Sequence, residues 1–186
     1  MDGPVGGEPR TLIAVSGAPG SGKTAVLERL TGDVTVMPEP ARAILAEQRA
    51  SGGRGTWDRD VALFVRLLLE RAIADHERGS RKGGVVLFDR GIPDCVVYAI
   101  RAGLDPTPSL EASASFRYAD AILFFEPWRE IYTTDDERTI GFEDAVAFGE
   151  ELRDAYVGCG YTVIDVRRGP VRERVAFVRR MIESLG

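Results

Sequence analysis

Residues 11–24 read TLIAVSGAPGSGKT, an apolar run that breaks into a glycine-rich turn closed by lysine and threonine. A run of this kind is what a strand buried on both faces looks like. The turn, GAPGSGKT (17–24), matches the pattern G-x-x-x-x-G-K-[ST] in full. With glycine at ~0.11, lysine at ~0.01 and Ser/Thr at ~0.1, about 0.002 chance matches are expected over the chain. The physical reading is a phosphate-binding loop. Gly17, Ala18, Pro19, Gly20, Ser21 and Gly22 let the backbone wrap closely, so that N–H groups point at phosphate oxygens. Lys23 then reaches the outer phosphates, and Thr24 offers its hydroxyl to Mg²⁺. Ala25 continues into a helix whose positive end adds to the anion's binding.

The rest of the chain repeats the same alternation. Apolar segments at 34–37, 85–88, 121–125 and 161–166 read as further strands. Helical patterns at about 23–30, 41–50, 57–80, 93–102, 109–117, 142–158 and 171–185 lie between and after them. Thr56 is the expected cap of the longest helix, where Val61, Phe64, Val65, Leu68, Leu69, Ala72 and Ile73 recur on one face. Unbroken apolar strands alternating with helices imply an α/β fold, a parallel sheet covered on both sides in three layers. The first ten residues, polar and rich in Gly and Pro, read as a loose tail. Residues 11–186 form one domain.

In such sheets ligands bind beyond the carboxyl ends of the strands, so the residues after each strand are the candidates for chemistry. Strand three ends in Asp89-Arg90-Gly91. Asp89 stands where a magnesium ion is held, usually through water, and Arg90 is placed to grip a phosphate or an acceptor. The alternative is that Asp89 caps the next turn. Strand two ends in Pro38-Glu39-Pro40-Ala41-Arg42. Glu39 is positioned either to orient an acceptor hydroxyl and take its proton, or to stabilise a helix N-terminus. The polar segment at about 126–142 reads as a lid, in which Arg129 and Arg138 are cations for a transferring phosphoryl group or surface partners of neighbouring acids. Arg168, after strand five, borders the expected position of a nucleotide base or forms a solvated turn. Arg42, Trp57, Phe64, Asp94 and Tyr98, with Glu39 and Arg90, are candidates for an acceptor pocket; the aromatic ones fit a core equally well.

Composition removes other classes. The chain of 186 residues carries a formal net charge of −5 with a pI near 5.1, against a general nucleic-acid binder. Only Lys23 and Lys82 are lysine among its 24 basic residues. Cys95, Cys159 and His76 are too few for a zinc site or a disulfide framework. No apolar run approaches a membrane span or a signal peptide, so a cytoplasmic location is expected, without membrane or nucleic-acid partners, as a monomer or homodimer.

These segments resemble the P-loop kinase-like AAA-domain family that includes the nicotinamide riboside kinase domain of NadR, within the nucleoside and nucleotide kinases. The resemblance rests on GAPGSGKT (17–24), PEPAR (38–42), VVLFDRGIPD (85–94), the W-x-x-IY…DDER of 128–138 and GYTVIDV (160–166). It implies a P-loop NTPase fold with a five-stranded parallel sheet in the order 2-3-1-4-5 and Mg-ATP at the loop. It also implies that Glu39 stands where deoxynucleoside kinases carry their base. Asp89-Arg90 resembles their Glu-Arg or Asp-Arg pair, and Asp136-Glu137-Arg138 their lid motif.

The leading expectation is an ATP-dependent phosphotransferase acting on a hydroxyl of a small metabolite, most simply a nucleoside-like compound. Lys23, Glu39, Asp89, Arg90, Arg129 and Arg138 would be its catalytic residues, with Thr24 and Asp89 on the metal. A nucleotide-dependent switch, hydrolysing slowly and signalling to a protein partner, is the alternative. Glu39 with Asp89, facing a pocket for a second molecule, separates the two. No guanine-reading motif follows strand four, where EPWR stands, so ATP is preferred over GTP.

Overall fold

The computed structural model describes residues 10–132 and 141–185. Five parallel strands, β1 (Thr11–Gly17), β2 (Thr35–Met37), β3 (Val85–Asp89), β4 (Ala121–Phe125) and β5 (Thr162–Val166), pair in the order β2-β3-β1-β4-β5, as expected. The alternation of side chains across each strand divides the core in two. Ala14 and Phe88 sit side by side in register on one face with Ile122 and Phe124, while Ile13, Leu87, Val15, Leu123 and Phe125 fill the other. Ile13, Leu87 and Leu123 have no exposed surface. Each contributes about 1.5–3 kcal/mol by leaving water.

The second face is covered by α1 (Lys23–Glu28) and α7 (Val171–Leu185), through Val26, Leu27, Val175, Val178 and Ile182. The first face is covered by α2 (Pro40–Ser51), α3 (Val61–Ser80), α4 (Ile92–Arg101), α5 (Thr107–Ser115) and α6 (Phe142–Gly158). This is the expected three-layer arrangement. None of the described helices is long and apolar enough to cross a membrane.

Three local expectations shift. The long helix starts at Val61 rather than 57, and its cap is Asp60, whose Oδ1 accepts from the Leu63 N–H at 3.0 Å. Thr56 lies one turn earlier, buried, with its carbonyl accepting from the Asp60 amide at 3.0 Å. Both are residue types that cap helices, so composition alone does not separate them. The α5 helix runs two residues earlier than the pattern suggests, because Asp105 Oδ1 receives the Thr107 N–H at 3.0 Å and starts it there. The α1 helix has only six residues, continued by turns through Leu30.

Candidate active site

The chemistry-bearing residues gather along the carboxyl edge of the sheet, because parallel strands deliver all their ends to one side. Strand β1 ends at Gly17, with φ +145°; a Cβ there would lie 2.3 Å from the Phe125 carbonyl oxygen of β4. Only glycine lets β1 and β4 stay paired as the chain turns away into the loop. Lys23 follows as the first residue of α1. It is buried, and its Nζ is ion-paired with Asp89 Oδ1 from the end of β3.

Arg90 is the one described non-glycine residue with positive φ, +75°. That conformation is disfavoured for a residue with a Cβ. It is fixed here by the Arg90 N–H donating to the Val15 carbonyl at 2.9 Å and by two carboxylates at the other end of the side chain. Arg90 Nε donates to Glu39 Oε1 at 2.9 Å, and Nη1 donates to Asp94 Oδ1 at 2.8 Å. Glu39 is the residue before the proline that opens α2, and its Oε2 lies 3.0 Å from Arg42 Nε. Burial by itself would raise the Glu39 pKa, but Arg90, Lys23 and Arg42 outweigh it and hold the carboxyl at about 2. For Arg90 burial opposes the charge; the Tyr98, Glu39 and Asp94 side chains outweigh that and push its pKa upward.

A cavity of about 370 Å³ joins Lys23, Glu39, Arg42, Arg90 and Tyr98. One end is the phosphate loop, where Ala18, Pro19, Gly20, Ser21, Lys23 and Thr24 line it. The rest of the lining includes Glu39 and Arg90, with Arg42, Leu45, Trp57, Phe64, Tyr98, Arg101 and Phe148. Trp57, Phe64 and Tyr98 meet edge-to-face with ring centroids 6.1–6.2 Å apart, and Tyr98 also meets Phe148 at 5.5 Å. Mutual packing and cavity lining are therefore the same structure, and Trp57, 45% exposed, sits at its rim.

Asp94 is brought to the site but not into the cavity. Its Oδ1 accepts from Ser16 Oγ at 2.8 Å and from Arg90; its Oδ2 accepts from the Gly91 N–H at 3.0 Å and from the Tyr156 hydroxyl at 2.6 Å. With four donors and 2% exposure, it holds Arg90 in place rather than meeting an acceptor. This corrects its expected place in the pocket lining. Arg129 also stands away from the cavity: it is exposed, ion-paired with Glu143 and stacked on the Phe142 ring at 4.2 Å. Arg138 lies outside the described residues. Arg168 is exposed, 3.7 Å from Glu126. Ala25, on α1, does not line the cavity, and neither do Gly17, Gly22 and Asp89; of the two carboxylates expected to face a second molecule, only Glu39 does. Arg101 and Phe148 were not anticipated; they come from α4 and α6, and the Arg101 guanidinium lies 4.7 Å from the Phe148 ring centre.

Among the described residues no three His, Cys, Asp or Glu side chains converge to hold a metal ion on their own. The two expected metal residues, Asp89 and Thr24, offer a carboxylate and a hydroxyl, both hard oxygens, and Asp89 Oδ1 is ion-paired with Lys23. Donors of this kind suit Mg²⁺, which keeps several waters and shares its shell with phosphates rather than sitting in a protein cage.

Comparison with known proteins agrees with this fold. A family model described as an AAA domain matches residues 12–174. A thymidylate kinase of Xanthomonas oryzae pv. oryzae is 33% identical over 127 residues, covering 62% of this chain and 55% of that protein. A NadR protein solved with NAD and AMP-PNP superposes with a TM-score of 0.68 at 19% identity, over 94% of this chain and 50% of that one. A deoxyadenosine kinase from M. mycoides with bound dATP gives 0.65 at 13% identity, over 93% and 99%. The chain spans about half the length of the curated relatives it matches. By the family match over most of its length the chain belongs to the AAA-domain family, and it shares the fold of these solved structures.

Proposed function

We propose that this protein is an ATP-dependent phosphotransferase that moves the γ-phosphoryl group of Mg-ATP to a hydroxyl of an uncharged, nucleoside-like small molecule. The observation that carries this reading is the single cavity running from the phosphate loop to Glu39 and an aromatic wall. A switch that only hydrolyses nucleotide needs a water-positioning group but no room for a second molecule. The relatives are named as kinases, and the reading follows them in class.

The charges favour a neutral acceptor. Each arginine lining the cavity is already paired: Arg42 with Glu39, Arg90 with Glu39 and Asp94, and Arg101 with Glu151 at 2.6 Å. Among the described residues every arginine in the lining has a carboxylate partner, which disfavours a phosphate on the acceptor, while the aromatic faces fit a planar base.

In this mechanism the acceptor oxygen forms a bond to the γ-phosphorus as the bond to the bridging oxygen of ADP breaks, and the hydroxyl proton passes by way of the Glu39 carboxylate to solvent water. Glu39, ionised at any working pH, accepts the hydroxyl's hydrogen bond and holds it in line. A carboxylate this acidic is a weak base, so orientation is its larger role. Lys23, released from Asp89, neutralises the outer phosphates. Asp89 and Thr24 would hold Mg²⁺, which neutralises developing charge on the phosphates.

The test is ATP consumption with Mg²⁺, alone and with a panel of nucleosides, nucleoside monophosphates, ribosyl cofactor precursors and sugars. ADP release that rises many-fold with one neutral compound, with a mass gain of one phosphoryl group on it and loss of both in Lys23→Ala, is the expected result. Slow hydrolysis indifferent to every compound would overturn the kinase reading, and a strict preference for monophosphates would overturn the neutral acceptor.

A further inference from the structure

Arg174, on the first turn of α7, is 4% exposed and reaches across 153 residues of sequence to the phosphate loop. Its Nη2 donates to the Ser21 carbonyl oxygen at 2.7 Å. The guanidinium lies over the Phe125 ring at 4.7 Å and faces the Trp128 ring at 5.8 Å. Its Nε has no partner among the described residues, and burial lowers its pKa. An apolar side chain would pack between these rings without those penalties. What the arginine adds is the bond to Ser21.

We propose that Arg174 is a positioning residue for phosphate binding, which acts by fixing the orientation of the Ser21–Gly22 peptide. In a trans peptide the C=O and N–H point in opposite directions. Holding the Ser21 carbonyl outward, towards α7, therefore aims the Gly22 N–H inward, towards the anion the loop encloses. Gly22 has φ +76°, and a Cβ on it would lie 2.7 Å from Arg174 Nη1. The residue that most easily flips its flanking peptides is thus clamped from behind by Arg174. Preorganised donors bind without the cost of reorienting, so the clamp contributes to affinity for the phosphates and not for the acceptor.

This inference rests on the phosphate-loop reading, and the experiment separates the two. Binding of ATP and of inorganic tripolyphosphate is measured by calorimetry for wild type, Lys23→Ala and Arg174→Met, the last chosen because methionine keeps the packing on Phe125 and Trp128. Arg174→Met is expected to weaken both ligands by a similar factor of about tenfold, the worth of one hydrogen bond near ~1.4 kcal/mol. In turnover its KM for ATP is expected to rise while the acceptor KM stays unchanged. Undiminished binding of tripolyphosphate to Arg174→Met, with wild type binding well, overturns the role of Arg174 alone. A wild type that binds neither ligand overturns the phosphate-loop reading and this inference with it. Should Arg174→Met fail to fold, the wild-type amide spectrum decides: the Gly22 N–H proton is expected to move downfield on tripolyphosphate binding, and an unmoved resonance overturns the proposal.

Discussion

Glu39 and Arg90, 51 residues apart in sequence, meet through a 2.9 Å hydrogen bond in the cavity that the phosphate loop and the aromatic cluster line together. The pair links the end of β2 to the end of β3. It leaves the Glu39 carboxylate 14% exposed, with room to accept one further hydrogen bond.

From this position Glu39→Gln is expected to keep ATP affinity and to lower kcat by roughly 10²-fold or more. Glutamine can still touch a hydroxyl, but it presents no negative charge to hold the proton being lost. Steady-state kinetics with separate KM values for ATP and the acceptor check this; an unchanged kcat would move the orienting role to Asp89.

The same ion pair sets a pH dependence of stability. The Glu39 carboxyl is held at about 2 against its usual 4.5, because Arg90, Lys23 and Arg42 outweigh the effect of burial. Below pH 4.5 the unfolded chain takes up a proton that the folded protein refuses. Stability from Glu39 is therefore fully present above that pH and drains away as pH falls towards 2. Urea midpoints over this range should fall steeply in wild type and less steeply in Glu39→Gln. Parallel slopes in the two proteins would contradict the pairing.

Much of this was legible in the sequence for a physical reason. A parallel sheet sends all its strand ends to one edge, so GAPGSGKT, PEPAR and FDRG could be assigned to one site without knowing any distance. Orientation within the site was not legible. Asp94 lies four residues after Arg90, across the turn that opens α4, so their contact is local in sequence. Its bonds to Ser16 and Tyr156, 78 and 62 residues away, depend on how α4 is rotated against β1 and α6. Arg174 was missed among the arginines of α7, although a signal existed. It falls four residues before Val178 and eight before Ile182, on the buried stripe of that helix. An arginine on an apolar stripe asks for a buried acceptor.

Asp94 itself provides a sharp test of that network. Both carboxylate oxygens receive two donors each, so Asp94→Asn must turn an N–H₂ group towards two of them whichever way the amide is placed. It also removes one of the two charges that compensate buried Arg90. The expected cost is roughly 3 kcal/mol or more, a fall in Tm of about 6–12 °C at ~2–4 °C per kcal/mol. Calorimetric melting checks this. A Tm within a degree or two of wild type would mean that Arg90 is satisfied by Glu39 alone.

The acceptor side is tested at its rim by Trp57→Ala. Trp57 is 45% exposed and meets Phe64 and Tyr98 only through ring edges, so truncation should cost the fold about 1 kcal/mol or less. If its face is a wall for a planar acceptor, the acceptor KM should rise about tenfold, equivalent to ~1.4 kcal/mol of lost stacking. The ATP KM should stay put, because Trp57 belongs to the aromatic cluster with Phe64 and Tyr98 and not to the phosphate loop. A rise confined to the ATP KM would reverse the assignment of the two parts of the lining, and equal rises in both would place Trp57 in a closure step rather than in acceptor recognition. The two-part lining makes these outcomes separable with a single substitution.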